Sequence, residues 1–286
     1  MVSGDKVHAI TFWSVDDAND TETPNSQNIS IDTTAPTTTG TPSGTVGNNG
    51  WYKSQVTMTL SATDTTSGVQ KTIYTVDGGA QQDYTTPFII SGDAKHAVQY
   101  WSVDVAGNVE AIHNVSVNID TTHPLTNSDV SGTAQFHSLT YRNGPITITL
   151  TPTDATSGVA ATYYTVNGGA QQSYTAPFSF SAEGTYNLTF WSVDNAGNVE
   201  PAWQESVGID LTPPTTTVAL TGTIGNNGWY KSNVSGMLNL TDNLSGGYQI
   251  NTNVDGASQF PASPFSVTGD GQHTISYWGE DKAGNT

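Results

Sequence analysis

From Val56 the chain reads Val56-Thr57-Met58-Thr59-Leu60-Ser61-Ala62, apolar at every second position. The same period of two returns at Lys71 to Val76, His96 to Asp104 and Val115 to Asp120, and again at Ile146 to Leu150 and Thr162 to Val166. Such alternation is a strand that buries one face. Between the runs stand turn residues. Asp64-Thr65-Thr66-Ser67-Gly68 and Asp154-Ala155-Thr156-Ser157-Gly158 predict turns, Asp77-Gly78-Gly79 and Asn167-Gly168-Gly169 predict tight hairpins, and Val105-Ala106-Gly107-Asn108 predicts another turn. Gln81 to Tyr84 and Phe88 to Ile90 are short returning strands, and Thr37 to Gly50 reads as an irregular Gly-rich edge. No stretch carries a helical period. The expected class is all-β.

The pattern also repeats as a whole. YWSVDVAGNVE at Tyr100 to Glu110 reappears around Trp13, Trp191 and Trp278, a spacing of 87 to 90 residues. That period marks tandem modules. The expected organisation is 1-36 as the last two strands (Val7 to Val15, Asn28 to Asp32) of an incomplete module, 37-124 and 125-214 as whole modules, and 215-286 as a module without its last strand. Each whole module is predicted to be an Ig-like antiparallel β-sandwich of about seven strands, the series forming a linear rod. A chain that starts and stops within a repeat predicts a piece of a longer array. The other expectation is a subunit in which Asn28 to Asp32 of one copy completes the open sheet of the next, head to tail, as a filament.

IYTVDGGAQQDYTTPFIIS, YWSVDVAGNVE and VNIDTTHP together resemble the Ig-like repeats of bacterial and archaeal surface proteins, the large-adhesin type among them. The resemblance covers nearly the whole chain. It implies a soluble sandwich module found in tandem in surface and S-layer-like proteins and beside glycoside hydrolase domains. It also implies Ca²⁺ held between modules, which would stiffen the array.

Charge narrows the partners. Only 7 Lys and Arg stand against 25 Asp and Glu, a net charge of −18, so the field repels phosphate backbones and nucleic acid is not expected. There is no cysteine, hence no disulfide framework, and Ser and Thr make up about a quarter of the residues. No apolar run approaches the roughly 20 residues of a membrane span, so membrane insertion is not expected. Met1-Val2-Ser3-Gly4-Asp5 lacks a signal-peptide layout, which fits a piece of a longer chain. The surface composition, rich in hydroxyl and amide, predicts an extracellular or cell-surface location. The histidines (His8, His96, His113, His123, His137, His273) neither pair nor recur with the repeat, which argues against zinc. No nucleophile elbow, phosphate loop or dinucleotide fingerprint occurs, and no enzymatic activity is expected.

Strand directions concentrate the acidic residues. If successive strands alternate, the turns after the second and sixth strands of a module lie at the pole where the chain arrives. Asp64, Asp104 and Asn108 then meet Asp32 from the preceding hinge. The next joint collects Asp120, Asp154, Asp194 and Asn198, and the third collects Asp210, Asp242, Asp281 and Asn285. Three carboxylates and an amide oxygen begin the set of hard oxygens that calcium takes. The competing reading is that each Asp caps the backbone of its own turn. Aromatic neighbours give a second candidate. In Tyr100-Trp101 and Phe190-Trp191 the first residue is expected to face inward, leaving the Trp outside, as a sugar-binding platform or half-covered by the fold. Trp51-Tyr52-Lys53 and Trp229-Tyr230-Lys231 form a further aromatic patch, replaced by Leu139-Thr140-Tyr141-Arg142 in the second module. The expected function is a structural spacer, stalk or fibre segment of a prokaryotic surface protein or adhesin. Its partners would be neighbouring modules, further copies of itself or surface glycans. The alternative is a carbohydrate-binding accessory region of a secreted glycoside hydrolase.

Overall fold

The computed structural model describes residues 1–132 and 140–286; His137 and Leu139 lie outside them. Two compact units result, one of Met1–Pro124 with Asp154–Ala160 and Val193–Val199, the other of Leu125–Thr153, Ala161–Ser192 and Glu200–Thr286. The described residues form strands, turns and bends, and no helix among them is long and apolar enough to cross a membrane. The N-terminal strands β1 (Lys6–Phe12) and β2 (Asn25–Ile31) pair antiparallel as a two-stranded sheet.

The first whole repeat contains β3 (Thr37–Ser43), β4 (Trp51–Tyr52), β5 (Val56–Thr63), β6 (Val69–Val76), β7 (Gln82–Asp83), β8 (Phe88–Ile90), β9 (Ala94–Asp104) and β10 (His113–Ile119). They form one sheet in the order β3-β5-β8 and another in the order β4-β10-β9-β6-β7. Val56, Met58, Leu60 and Ile90 from the first sheet pack against Val98, Tyr100, Val117 and Ile119 from the second. A core closed between two sheets by alternate residues is a β-sandwich.

The second repeat follows the same plan with β11 (Leu125–Gly132), β12 (Tyr141–Arg142), β13 (Ile146–Thr153), β14 (Val159–Val166), β15 (Gln172–Ser173), β16 (Phe178–Phe180), β17 (Gly184–Asp194) and β18 (Trp203–Ile209). Its sheets are β11-β13-β16 and β12-β18-β17-β14-β15. The third has β19 (Thr215–Thr221), β20 (Val234–Thr241), β21 (Gly247–Val254), β22 (Ala257–Ser258), β23 (Phe265–Val267) and β24 (Ile275–Asp281), in sheets β19-β20-β23 and β22-β21-β24.

Two expectations need correction. Thr37 to Ser43, read as irregular, is the full strand β3, in register with β5 from Thr37↔Thr63 to Ser43↔Thr57. Its covered positions are Thr38, Gly40 and Pro42, not apolar side chains. Gly40 is required there, because a Cβ would lie 2.5 Å from Met58 and 2.8 Å from the Tyr100 ring. The sandwich is also not wholly antiparallel, since β4 pairs parallel with β10 and β12 parallel with β18.

Tyr100 and Phe190 face the core as expected. Trp101, however, is only 9% exposed and lies opposite Ile73 across β9 and β6, while Trp51 is 6% exposed with Lys95 Nζ 5.7 Å above its ring.

The turn between β6 and β7 shares a histidine–aspartate pair with β9. Asp77 has φ 52° and Gly78 φ 70°, the left-handed turn that DGG requires. His96 bonds Asp77 Oδ2 through Nδ1 (2.8 Å) and the Gly92 carbonyl through Nε2 (3.0 Å), so only the imidazolium satisfies both acceptors. Burial lowers the His96 pKa, but the bonds His96 donates to Asp77 and to the Gly92 carbonyl outweigh it and hold it above the ordinary value. A raised histidine stabilises fully below its unfolded pKa of about 6.5 and loses that contribution as pH rises through the folded value. The Ala97 amide bonds Asp77 Oδ1 (2.8 Å), and its hydrogen-exchange protection is expected to fall as pH rises above about 6.5 and through the raised His96 pKa. The second repeat has Asn167 and Tyr186 at these positions, so His96→Tyr with Asp77→Asn should abolish that fall.

Candidate metal centres at the repeat joints

Each of three joints gathers one hinge aspartate and two turn aspartates. Asp32, Asp64 and Asp104 form the first cluster, Asp120, Asp154 and Asp194 the second, and Asp210, Asp242 and Asp281 the third, with one carboxylate oxygen from each residue within 4.8 Å of the others. Asp104, Asp120, Asp194, Asp210 and Asp281 are buried.

Local sequence explains the placement. Asp64 Oδ1 accepts the amides of Thr66 (3.1 Å), Ser67 (3.0 Å) and Gly68 (2.7 Å), closing a turn whose Gly68 sits at φ +85°. Asp154 Oδ1 closes the equivalent turn on Thr156 and Gly158, and Asp242 Oδ1 on Leu244 and Gly246. The turn-capping reading therefore accounts for one oxygen of each. It does not account for the other. Asp242 Oδ2 is buried without a hydrogen-bond partner.

The hinge aspartates link the chain ahead to the turn. Asp32 accepts Thr34 N (3.1 Å) and Ser67 N (2.9 Å), Asp120 accepts Thr122 N (3.2 Å) and Ser157 N (3.0 Å), and Asp210 accepts Thr212 N (3.1 Å) and Ser245 N (2.9 Å). The third member caps the D-x-A-G-N turn. Asp104 accepts Asn108 N and Asn108 Nδ2, both at 2.7 Å. Burial opposes ionisation of Asp104, but the bonds from the Asn108 side chain and from the amides of Asn108, Gly107 and Ala106 outweigh it and hold its carboxyl below the usual range.

Asn108, Asn198 and Asn285 join the clusters by a different atom from the one expected. Their Nδ2 donates to the third aspartate and to the hinge carbonyl of Asp32, Asp120 or Asp210 (3.2, 2.9 and 2.9 Å). Each thus ties hinge to turn as a donor.

Two further features were missed from the sequence. Each hinge is held by an acid lying 28 residues before its first residue. Asp93 accepts Thr121 N, Thr121 Oγ1 and Thr122 Oγ1 (2.9, 2.9 and 2.6 Å), Asp5 does the same for Thr33 and Thr34, and Glu183 takes Leu211 N and Thr212 Oγ1. Behind the hinge lies a buried network. Glu110 accepts Thr38 N (2.7 Å), Thr38 Oγ1 (2.6 Å), Ser102 N (3.1 Å) and His113 Nε2 (2.8 Å). Glu200 repeats it with Thr126, Ser192 and Trp203 Nε1. The signal was present as a Glu six residues after the turn Asp and a Thr two residues after the hinge Pro.

No protein-family model matches the chain, and no curated protein matches its sequence. Among solved structures it is similar to fibronectin(III)-like modules of Clostridium thermocellum CbhA, at 13% identity over 60% of this chain and 94% of that one, with a TM-score of 0.30. It is also similar to a 1.5-MDa bacterial ice-binding adhesin, at 14% identity over 80% of each chain and a TM-score of 0.28. A third likeness is to domains 7, 8 and 9 of the S-layer protein SbsC, at 14% identity over 71% of this chain and 70% of that one, with a TM-score of 0.19.

Proposed function

We propose that the chain is an extracellular spacer or stalk of a surface protein, its joints stiffened by divalent cations, calcium by preference. The observation that carries this reading is the recurrence of one triad at three joints, each built from a hinge and two turns. The donor set is all oxygen, which suits a hard cation. Two oxygens on opposite sides of a calcium ion at about 2.4 Å are about 4.8 Å apart, so each triad fits within the span of one ion. The buried, unpartnered Asp242 Oδ2 is an acceptor without a donor, as a ligand oxygen would be. Asp32, Asp120 and Asp210 belong to the hinges, so an ion held there would fix the hinge against the turns of the repeat that follows.

The spacer reading gives the protein no reaction to catalyse. Its partners are adjoining repeats, with a fibre of further copies as an extension of the same idea. The glycan-binding alternative has no platform shared by the repeats, because Trp51 and Trp101 of the first repeat are buried while their counterparts Trp229 and Trp278 are exposed. The test is the thermal midpoint with excess Ca²⁺ and with a chelator. A ligand that binds only the folded state at a hundredfold over its Kd adds about 2.7 kcal/mol, so a rise of several degrees is expected. Identical midpoints would overturn the cation reading.

A further inference from the structure

The loop Gly47–Lys53 makes two sets of bonds that converge on the second joint. One set runs to the strand that delivers the hinge: β4 pairs parallel with β10, Trp51 opposite Asn118 and Tyr52 opposite Ile119, and the Tyr52 carbonyl accepts Asp120 N at 2.9 Å. The other set grips the turn Asp194–Asn198. Asn48 N donates to the Ala196 carbonyl (2.9 Å), Asn49 Nδ2 to the Asn195 carbonyl (3.0 Å) and Lys53 Nζ to the Gly197 carbonyl (3.4 Å). The fit needs glycine on both sides: a Cβ on Gly47 would lie 2.4 Å from Ala196 O, and one on Gly197 2.7 Å from Asn48 Nδ2. Ala196 at the centre of the turn is 0% exposed.

These bonds close a ring around the second triad. The gripped turn is also bound to the turn of Asp154, through Asn195 N to the Gly158 carbonyl (2.9 Å) and Asn195 Nδ2 to the carbonyls of Ser157 and Gly158 (2.9 and 3.0 Å). Ser157 N returns to Asp120 Oδ2 (3.0 Å), and Asn198 Nδ2 to the Asp120 carbonyl (2.9 Å). The loop therefore bonds both the hinge that carries Asp120 and the turn that carries Asp194, while none of its own residues belongs to the triad.

We propose that Gly47–Lys53 is a positioning clamp for the second joint, with Asn49 and Lys53 as positioning residues that set the separation of Asp120 from Asp194 and thereby the cation affinity there. Three carboxylates with oxygens within 4.8 Å repel one another. Without a clamp, hinge and turn relieve that repulsion by moving apart, and an ion has to draw them together again. A loop bonded to both prevents the relaxation, so the ligands are preorganised and binding loses less to ordering. The affinity rests on the cation reading of the joints; the hold on the two aspartates does not.

The test uses the full chain, ¹⁵N-labelled, as wild type, Asn49→Gly, Lys53→Met and Lys53→Arg. Asn49→Gly keeps the positive φ of 52° and removes one donor, Lys53→Met removes another, and Lys53→Arg keeps it. The amides of Ser67, Ser157 and Ser245 each bond one hinge aspartate and so report the three joints separately. In a Ca²⁺ titration the midpoint at Ser157 should rise about three- to tenfold in Asn49→Gly and Lys53→Met, the worth of one lost hydrogen bond, while Ser67 and Ser245 keep their wild-type midpoints and Lys53→Arg matches wild type throughout. In chelator the amides of Ser157 and Asn198, which bond Asp120 and Asp194, should exchange several-fold faster in the same two variants. Wild-type exchange at both amides in both variants, or a Ser157 midpoint that does not move, overturns the clamp. Absence of any Ca²⁺ response in wild type would instead sink the cation reading and leave exchange in chelator to decide the clamp. An unchanged Gly47 amide, bonded to the Trp51 carbonyl, certifies that the loop itself stays folded in the variants.

Discussion

Replacing Glu200 by Ala is expected to destabilise the second repeat by about 3 kcal/mol or more. The carboxylate receives four donors: Thr126 N (2.7 Å), Thr126 Oγ1 (2.6 Å), Ser192 N (3.0 Å) and Trp203 Nε1 (2.8 Å). Glu200, Thr126 and Ser192 are buried, so their donors cannot turn to water when the acceptor is removed. Each orphaned buried donor costs about 1–3 kcal/mol, and a bond to a charged acceptor is stronger than a neutral one. Glu200→Gln should cost less, because one acceptor oxygen survives while the new amide faces donors. Equilibrium urea unfolding followed by tryptophan fluorescence separates the variants, and equal midpoints for Ala and wild type would refute the assignment. In the third repeat Gly279 stands where Ser102 and Ser192 stand in the other repeats.

Asp242→Asn is expected to act in opposite directions with and without calcium. Asn keeps Oδ1 for Gly246 N (2.6 Å) and Leu244 N (3.1 Å), so the turn survives. At the other atom it exchanges a buried oxygen with no donor for a donating NH₂ beside Asp210 and Asp281. In chelator the variant should therefore be at least as stable as wild type, since a charge that repels two neighbours has been removed. In excess Ca²⁺ it should lose the third joint's share of the stabilisation, about 2.7 kcal/mol at a hundredfold over Kd. Calorimetry under the two conditions gives the comparison. A variant that is weaker in chelator and still responds fully to calcium would show that Asp242 serves the turn alone.

How much of this was legible depended on which atoms carried the signal. The apolar alternation of Val56-Thr57-Met58-Thr59-Leu60 located the core strand β5, and the DGG hairpin was visible because few residues take positive φ. β3 was hidden because its inward positions are Thr38, Gly40 and Pro42, polar or small residues that fill gaps left by Tyr100 and Met58. The parallel pairing of β4 spans two residues, too short for any periodicity to reveal. Counting strand directions brought the nine aspartates to the correct poles, since a turn's pole follows from topology without side-chain detail. The asparagines were different. Whether Nδ2 or Oδ1 faces the cluster depends on a hydrogen bond to a hinge carbonyl, which residue spacing does not encode.

The parallel pairing bears on how a repeat meets force. Within the first repeat the chain arrives at the Thr37 end of β3 and departs from the Ile119 end of β10, at opposite poles. Tension applied through the two hinges draws β3 along its axis against β5 and draws β10 along its axis against β4 and β9. All the cross-strand bonds of each pair are then sheared together and must fail at once, whereas an edge peeled sideways loses them one at a time. A pulled repeat should accordingly resist as a unit, and the two-residue strand β4 adds one more line of bonds to the strand through which the load departs.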